Sequence, residues 1–193
     1  MRNLLIEATA ALILLVPIFL LLNVLLLHNS RRTWRYALFA LYLAAVYHVV
    51  GLPTVTFLTF DAAINLIPIL PMKEDLKNTI LNTILFIPLG FFLPYLWNRF
   101  RHISETLLLG FCATLTIELG QLLTYRVTDI NDIITNFLGC LTGYVLFCFS
   151  FLLKGKKMPA AGRSIDLWLV LGTVFAVMFF LHPPVAALFY KLT

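Results

Sequence analysis

Six apolar runs follow one another along this chain, at residues 4–27, 36–52, 79–97, 105–124, 133–153 and 167 to about 189. Each is at or near the roughly 20 residues that a helix needs to cross a bilayer. The chain is 61% hydrophobic and only 12% charged, against about 25% charged residues in soluble domains. A surface that apolar needs lipid rather than water as its solvent. The expected fold is all-α, a polytopic transmembrane helical bundle of about six helices, forming a single integral membrane domain over residues 1–193.

Details of the runs support this. The first is too long for a signal peptide, and no small-residue cleavage site follows it. The third contains Pro88. Proline is tolerated in lipid because neighbouring groups satisfy the carbonyl it frees, and Asn82, six residues earlier, is one candidate partner. The sixth carries Pro183-Pro184 near its end.

The connections alternate in charge. Residues 28–35 hold Arg31, Arg32 and Arg35, residues 98–104 hold Arg99 and Arg101, and residues 154–166 hold Lys154, Lys156, Lys157 and Arg163 against Asp166. The intervening connections mix Lys73 and Lys77 with Asp61, Glu74 and Asp75, and Arg126 with Asp129 and Asp132. Basic loops stay on the cytoplasmic side, so the expected orientation is N-out/C-out. The long outer connection, residues 53–78, is apolar in places but broken by proline, and is expected to be a re-entrant or interfacial segment.

The net charge of +5 sits in those short clusters, as a topology signal does, and implies no nucleic acid partner. Cys112, Cys140 and Cys148 lie inside apolar runs and read as packed side chains. The histidines His28, His48, His102 and His182 have no metal-ligand spacing among them. Neither a metal nor another cofactor is expected.

The remaining polar residues converge. Glu118 lies six residues before the end of the fourth run, roughly 9 Å deep at 1.5 Å per residue, and Gln121 is one turn nearer the surface. Arg126, Asp129 and Asp132 follow, with Asn136 one turn deeper than Asp132. Asn78 and Asn82 begin the third run, and Asn65 lies in the connection before it. All fall near the outer surface. Ionisable groups at membrane depth are costly and mark functional sites or polar locks between helices. Each also has a plainer reading: Glu118 paired with Arg126 to fix packing, Asp129 as a helix cap, Asn82 and Asn136 as interhelical hydrogen-bond partners. Further along, Gly139 and Gly143 form a G-x-x-x-G step, read as packing within one molecule rather than as a dimer face.

The run Asn82-Thr83-Ile84-Leu85-Phe86-Ile87-Pro88-Leu89-Gly90-Phe91 resembles the N-x-x-x-F-x-P-x-G signature of the VanZ-like membrane proteins. Glu118-x-x-Gln121, Arg126-x-x-Asp129-Ile-x-Asp132 and Asn136-x-x-Gly139 resemble the rest of that signature in order and spacing. Asn65-Leu66-Ile67-Pro68 is similar to the family's upstream segment. The resemblance covers about residues 36–153 as a VanZ-like core, with residues 1–35 and 154–193 as flanking helices. It implies a multi-pass protein of the bacterial cytoplasmic membrane and cell envelope. The family's namesake accompanies glycopeptide-resistance genes and is associated with reduced susceptibility to teicoplanin rather than vancomycin.

Three functions are compatible with these residues. The first is a non-enzymatic envelope protein that binds an amphiphilic ligand at the outer leaflet and lowers susceptibility to teicoplanin-type lipoglycopeptides. Its ligand is a membrane lipid, a lipid-linked envelope precursor or the lipoglycopeptide itself, bound by Asn82, Glu118, Gln121, Arg126, Asp129, Asp132 and Asn136. The second is a membrane hydrolase or transferase acting on a lipid-linked cell-wall precursor, with Glu118, Asp129 and Asp132 as candidate catalytic residues. Glu118 acts there as general acid or base, while Asp129, Asp132 and Asn136 hold a divalent cation completed by substrate phosphate. The third, a proton-coupled transporter, ranks last, because the inner halves of the helices are nearly all apolar and no inverted repeat is visible.

Overall fold

The computed structural model describes residues 2–60, 64–65, 76–124, 126–153 and 161–192. Half of the segment 53–78 expected to be re-entrant or interfacial, residues 61–63 and 66–75, lies outside them. The described chain is all-helical apart from two short strands. Among the described residues there are six long helices: α1 (Arg2–Leu22, prolonged by a π turn at Asn23–Leu27), α2 (Ser30–Val49), α3 (Leu76–Leu96), α4 (Ile103–Gln121), α5 (Ile130–Phe147, prolonged by a π turn at Cys148–Leu153) and α6 (Ser164–Leu192). Five of them are long and apolar enough to cross a membrane. The exception is α2, which opens with Arg31, Arg32 and Arg35. The strands are β1 (Ile64–Asn65) and β2 (Thr128–Asp129).

The helices form two compact units, one of residues 1–58 and 164–193, the other of residues 59–163.

The first unit holds α1, α2 and α6. The turn between α1 and α2 is built by two asparagines. Asn23 Oδ1 accepts from the Asn29 backbone N–H at 2.9 Å and from Thr33 Oγ1 at 2.8 Å. Asn29 then caps α2 by accepting from the Arg32 backbone N–H at 3.0 Å, which satisfies a donor that a helix start leaves open. Gly51, at φ 67°, ends α2 in the left-handed region that glycine enters without a Cβ penalty. In α6 a π turn at Val177–Leu181 precedes Pro183-Pro184, and the helix runs through to Leu192. Such turns accommodate carbonyls that proline leaves without a donor. Leu15, Phe19, Phe39, Ala40 and Val170 form the core.

One residue departs from its expected place. Asp166, grouped with the basic connection 154–166 on sequence, lies in the first turn of α6 and is fully buried. Its Oδ2 accepts from the Tyr36 hydroxyl at 2.9 Å and lies 3.8 Å from Arg32 Nη1. A buried carboxylate needs such partners, and this pair ties the start of α6 to the start of α2.

The second unit holds β1, α3, α4, β2 and α5. Helices α3 and α5 pack backbone to backbone. A Cβ added to Gly139 would overlap the Thr83 carbonyl, one on Gly143 the Ile87 carbonyl, and one on Gly90 the Cys140 carbonyl. The G-x-x-x-G step of α5 is thus used inside the molecule against α3, as small-residue steps are when helices must approach closely. Asn82 is not spent on the carbonyl freed by Pro88; its amide donates to Asp132. At one end of the unit, Phe147 stacks on Phe151 at 5.2 Å between ring centroids, with Phe91 and Tyr95 beside them. Tyr144 there donates to the Arg101 carbonyl at 2.7 Å. The opposite end carries the polar residues.

Candidate functional site

The start of α3, the end of α4 and the start of α5 meet at one end of the second unit. Their polar side chains come from helical spacing on each element. On α4, Thr114 and Glu118 are four residues apart and Gln121 three further on, so they share one face. All three are buried, at 0%, 2% and 2% exposure. On α5, Asp132, Asn136 and Gly139 form the matching stripe.

The connection from α4 to α5 is held by local hydrogen bonds. Thr124 Oγ1 donates to the Gln121 carbonyl at 3.0 Å, and Thr128 Oγ1 donates to the Glu118 carbonyl at 2.9 Å. Strand β2 then pairs in parallel with β1, matching Ile64 with Thr128 and Asn65 with Asp129. The chain enters α5 through Asp129, whose Oδ1 accepts from the backbone N–H and the side-chain Nδ2 of Asn131, both at 2.8 Å. Asp129 is therefore the N-cap of α5. Its negative charge also suits the positive end of the helix dipole.

Glu118 is joined to this cap. Its Oε2 accepts from the Asp129 backbone N–H at 2.9 Å. Its Oε1 is buried and has no hydrogen-bond partner among the described residues. Asn65 Nδ2 donates to Asp129 Oδ2 at 3.0 Å, and Asn82 Nδ2 donates to Asp132 Oδ1 at 2.6 Å. Deeper, Asn136 Nδ2 donates to Thr114 Oγ1 at 3.0 Å, while Asn136 Oδ1 is buried without a partner among the described residues.

The structure thus links Asn82 to Asp132, and Glu118 to Asp129, and sets Asn136 one turn below Asp132 on α5. Gln121 is buried on the same α4 face as Glu118, and Arg126 is exposed in the connection that follows. The sequence reading missed Thr114, Thr128 and Asn131 as members of this cluster. Thr114 had a usable signal, its four-residue spacing from Glu118. Thr128 and Asn131 act through local turn geometry, which spacing alone does not reveal.

Three carboxylates lie close together here, each partly or fully withdrawn from solvent. Burying a carboxylate is costly unless N–H donors replace water, and the amides of Asn65, Asn82 and Asn131 and the Asp129 backbone supply them. Both oxygens of Asp129 are engaged this way, Oδ1 in the cap and Oδ2 with Asn65. Among the described residues no group of three His, Cys, Asp or Glu side chains is arranged to hold a metal ion. The accessible chemistry is hydrogen bonding: buried acceptors on Glu118 and Asn136 and a guanidinium on Arg126 at the rim.

The sequence pattern of the VanZ/LLP1 family matches residues 39–153. Neither a curated protein nor a solved structure gives a match to the chain. The matched stretch runs from within α2 to the π turn that ends α5, and includes every residue of the polar end just described. It covers more than half of the chain and coincides with helices fit to span a membrane. This protein is a membrane protein that belongs to the VanZ/LLP1 family.

Proposed function

We propose that this protein is a multi-pass protein of the bacterial cytoplasmic membrane, oriented N-out/C-out, whose polar end binds an amphiphilic envelope ligand at the outer leaflet. The ligand is a membrane lipid or a lipid-linked envelope precursor, and occupation of the site lowers susceptibility to teicoplanin-type lipoglycopeptides. Family membership supports the link to glycopeptide resistance, and the alternation of basic connections supports the orientation.

One observation carries the reading: Glu118 Oε1 is a buried acceptor with no hydrogen-bond partner among the described residues. An unsatisfied buried acceptor costs about 1–3 kcal/mol, and a ligand hydroxyl or amide N–H placed there removes that cost. Asn136 Oδ1 offers a second such acceptor. Arg126 at the rim suits an anionic headgroup, since a guanidinium takes phosphate or carboxylate bidentately.

The test is drug susceptibility in matched strains expressing wild type, Glu118→Gln or Asp132→Asn at equal membrane abundance. Selective protection against teicoplanin over vancomycin, lost in both variants, supports the proposal. No protection by wild type rejects resistance as the function of this chain.

The same unpartnered oxygen favours a second reading, a membrane hydrolase or transferase with Glu118 as general acid or base. Turnover of a lipid pyrophosphate by the purified protein, abolished by Glu118→Gln, separates catalysis from binding.

A further inference from the structure

A second polar cluster lies in the unit formed by α1, α2 and α6, outside the candidate site. Glu7 of α1 is its centre. Glu7 Oε2 lies 3.5 Å from His48 Nδ1 of α2 and 3.4 Å from His182 Nε2 of α6. Glu7 Oε1 accepts from the Tyr190 hydroxyl at 2.9 Å. The three helices converge here from residues 41 to 183 positions apart in sequence.

Beside the cluster is a cavity of about 290 Å³, whose polar corner is made by Glu7, His48 and His182. That volume is at the low end of small-molecule sites, which run to roughly 300–1,000 Å³. Alanines at Ala11, Ala44 and Ala45 leave the space open, and Leu12 and Leu41 give it an apolar wall. Leu12 is 45% exposed and Ala45 is exposed, so the cavity opens sideways through the helix surface. An apolar slot with one polar corner and a lateral opening fits a hydrocarbon chain with a single polar head.

The polar corner selects the head. His182 Nε2 lies 3.1 Å from the Glu7 carbonyl oxygen, and a carbonyl only accepts, so that nitrogen carries a proton. His48 turns Nδ1 toward the Glu7 carboxylate, which likewise only accepts when ionised. Glu7 is the only Asp, Glu, Lys or Arg side chain in the cavity lining, so the charge the corner offers is negative and complements a donor of positive charge.

We propose that the α1–α2–α6 unit binds an acyl or alkyl amphiphile with a primary ammonium headgroup, its chain in the cavity and its ammonium on Glu7. Glu7 and His182 lie outside residues 39–153. This site stands or falls independently of the one proposed around Glu118.

The experiment titrates the full chain, in neutral detergent micelles, with dodecylamine, dodecanol or dodecyl sulfate, and counts adducts by native mass spectrometry. Wild type is expected to retain dodecylamine roughly tenfold better than dodecanol, the size of one hydrogen bond to a charged group, and to exclude dodecyl sulfate. Glu7→Gln is expected to erase the preference, and Ala45→Leu, which fills the opening without touching the polar corner, to reduce amine binding. Carbodiimide coupling of dodecylamine to the wild-type protein, mapped by peptide mass spectrometry, is expected to form the amide at Glu7. Equal binding of amine and alcohol, tighter binding of the sulfate, coupling elsewhere, or indifference to Ala45→Leu overturns the proposal.

Discussion

The backbone N–H of Asp129 donates to Glu118 Oε2 across 2.9 Å, so the residue that caps α5 is fastened to the buried carboxylate of α4. That bond predicts a split between two substitutions. Glu118→Gln keeps an oxygen able to receive the Asp129 N–H and should shift stability by less than about 1 kcal/mol. Glu118→Ala leaves that N–H without its acceptor and should cost about 1–3 kcal/mol. Thermal melts of the purified protein in micelles measure both. Comparison with teicoplanin protection then separates the roles: loss of protection in Glu118→Gln at an unchanged melting temperature assigns Glu118 to ligand binding. Protection that tracks the melting temperature across both variants assigns it to helix packing alone.

The helices and the polar end were legible in the sequence because hydropathy and helical spacing are local signals. Apolar runs located all six helices, and the i, i+3 and i, i+4 positions of Glu118, Gln121, Asp132 and Asn136 placed their side chains on facing stripes. The start of α5 was set three residues late, because an N-cap is chosen by backbone bonding at Asp129 rather than by hydrophobicity. Asp166 was misjudged for a related reason: next to a basic stretch, a lone aspartate looks solvated. Its burial depends on Tyr36, which lies 130 positions away. Glu7 was missed because its partners His48, His182 and Tyr190 meet it only through tertiary packing. The pairing of β1 with β2 was not legible either, since two-residue strands carry no alternation to read.

The glycines of α5 give a second prediction. A Cβ on Gly143 would overlap the Ile87 carbonyl, and backbone cannot move aside as a flexible side chain can. Gly143→Ala should destabilise by about 1–3 kcal/mol, the usual range for overpacking. Gly172 of α6 has no atom within 4 Å of an added Cβ. Gly172→Ala should therefore be neutral or stabilising, by up to about 1 kcal/mol from reduced backbone freedom. Melting both variants side by side checks the contrast. Equal behaviour of the two would show that α3 and α5 are not in backbone contact.

The Tyr36–Asp166 pair gives a third. Asp166 is fully buried and Arg32 is mostly so. Asp166→Ala leaves the tyrosine hydroxyl and the guanidinium without their acceptor, and should cost about 3–5 kcal/mol, as breaking a buried pair does. Tyr36→Phe removes one donor to the carboxylate and should cost about 1–3 kcal/mol. A double-mutant cycle between Tyr36→Phe and Asp166→Ala should return a coupling of about 0.5–3 kcal/mol. Additive losses would mean that the two groups do not interact in the folded protein.

The Asn65–Asp129 contact permits a rescue experiment. Asn65 Nδ2 donates to Asp129 Oδ2, while Asp129 Oδ1 holds the cap on Asn131. In Asp129→Asn the amide oxygen can keep the cap, but its NH₂ then faces the NH₂ of Asn65, donor against donor. That variant should lose about 1–2 kcal/mol. Adding Asn65→Asp supplies an acceptor opposite the new amide and should recover most of the loss, although the negative charge has moved from the helix start to β1. The part not recovered, about 0.3–1 kcal/mol, measures the charge–dipole contribution of Asp129 at the α5 N-terminus. If the double variant is no more stable than Asp129→Asn, then β1 is not paired with the entrance to α5. The link between the segment at Asn65 and the Glu118 cluster would fail with it.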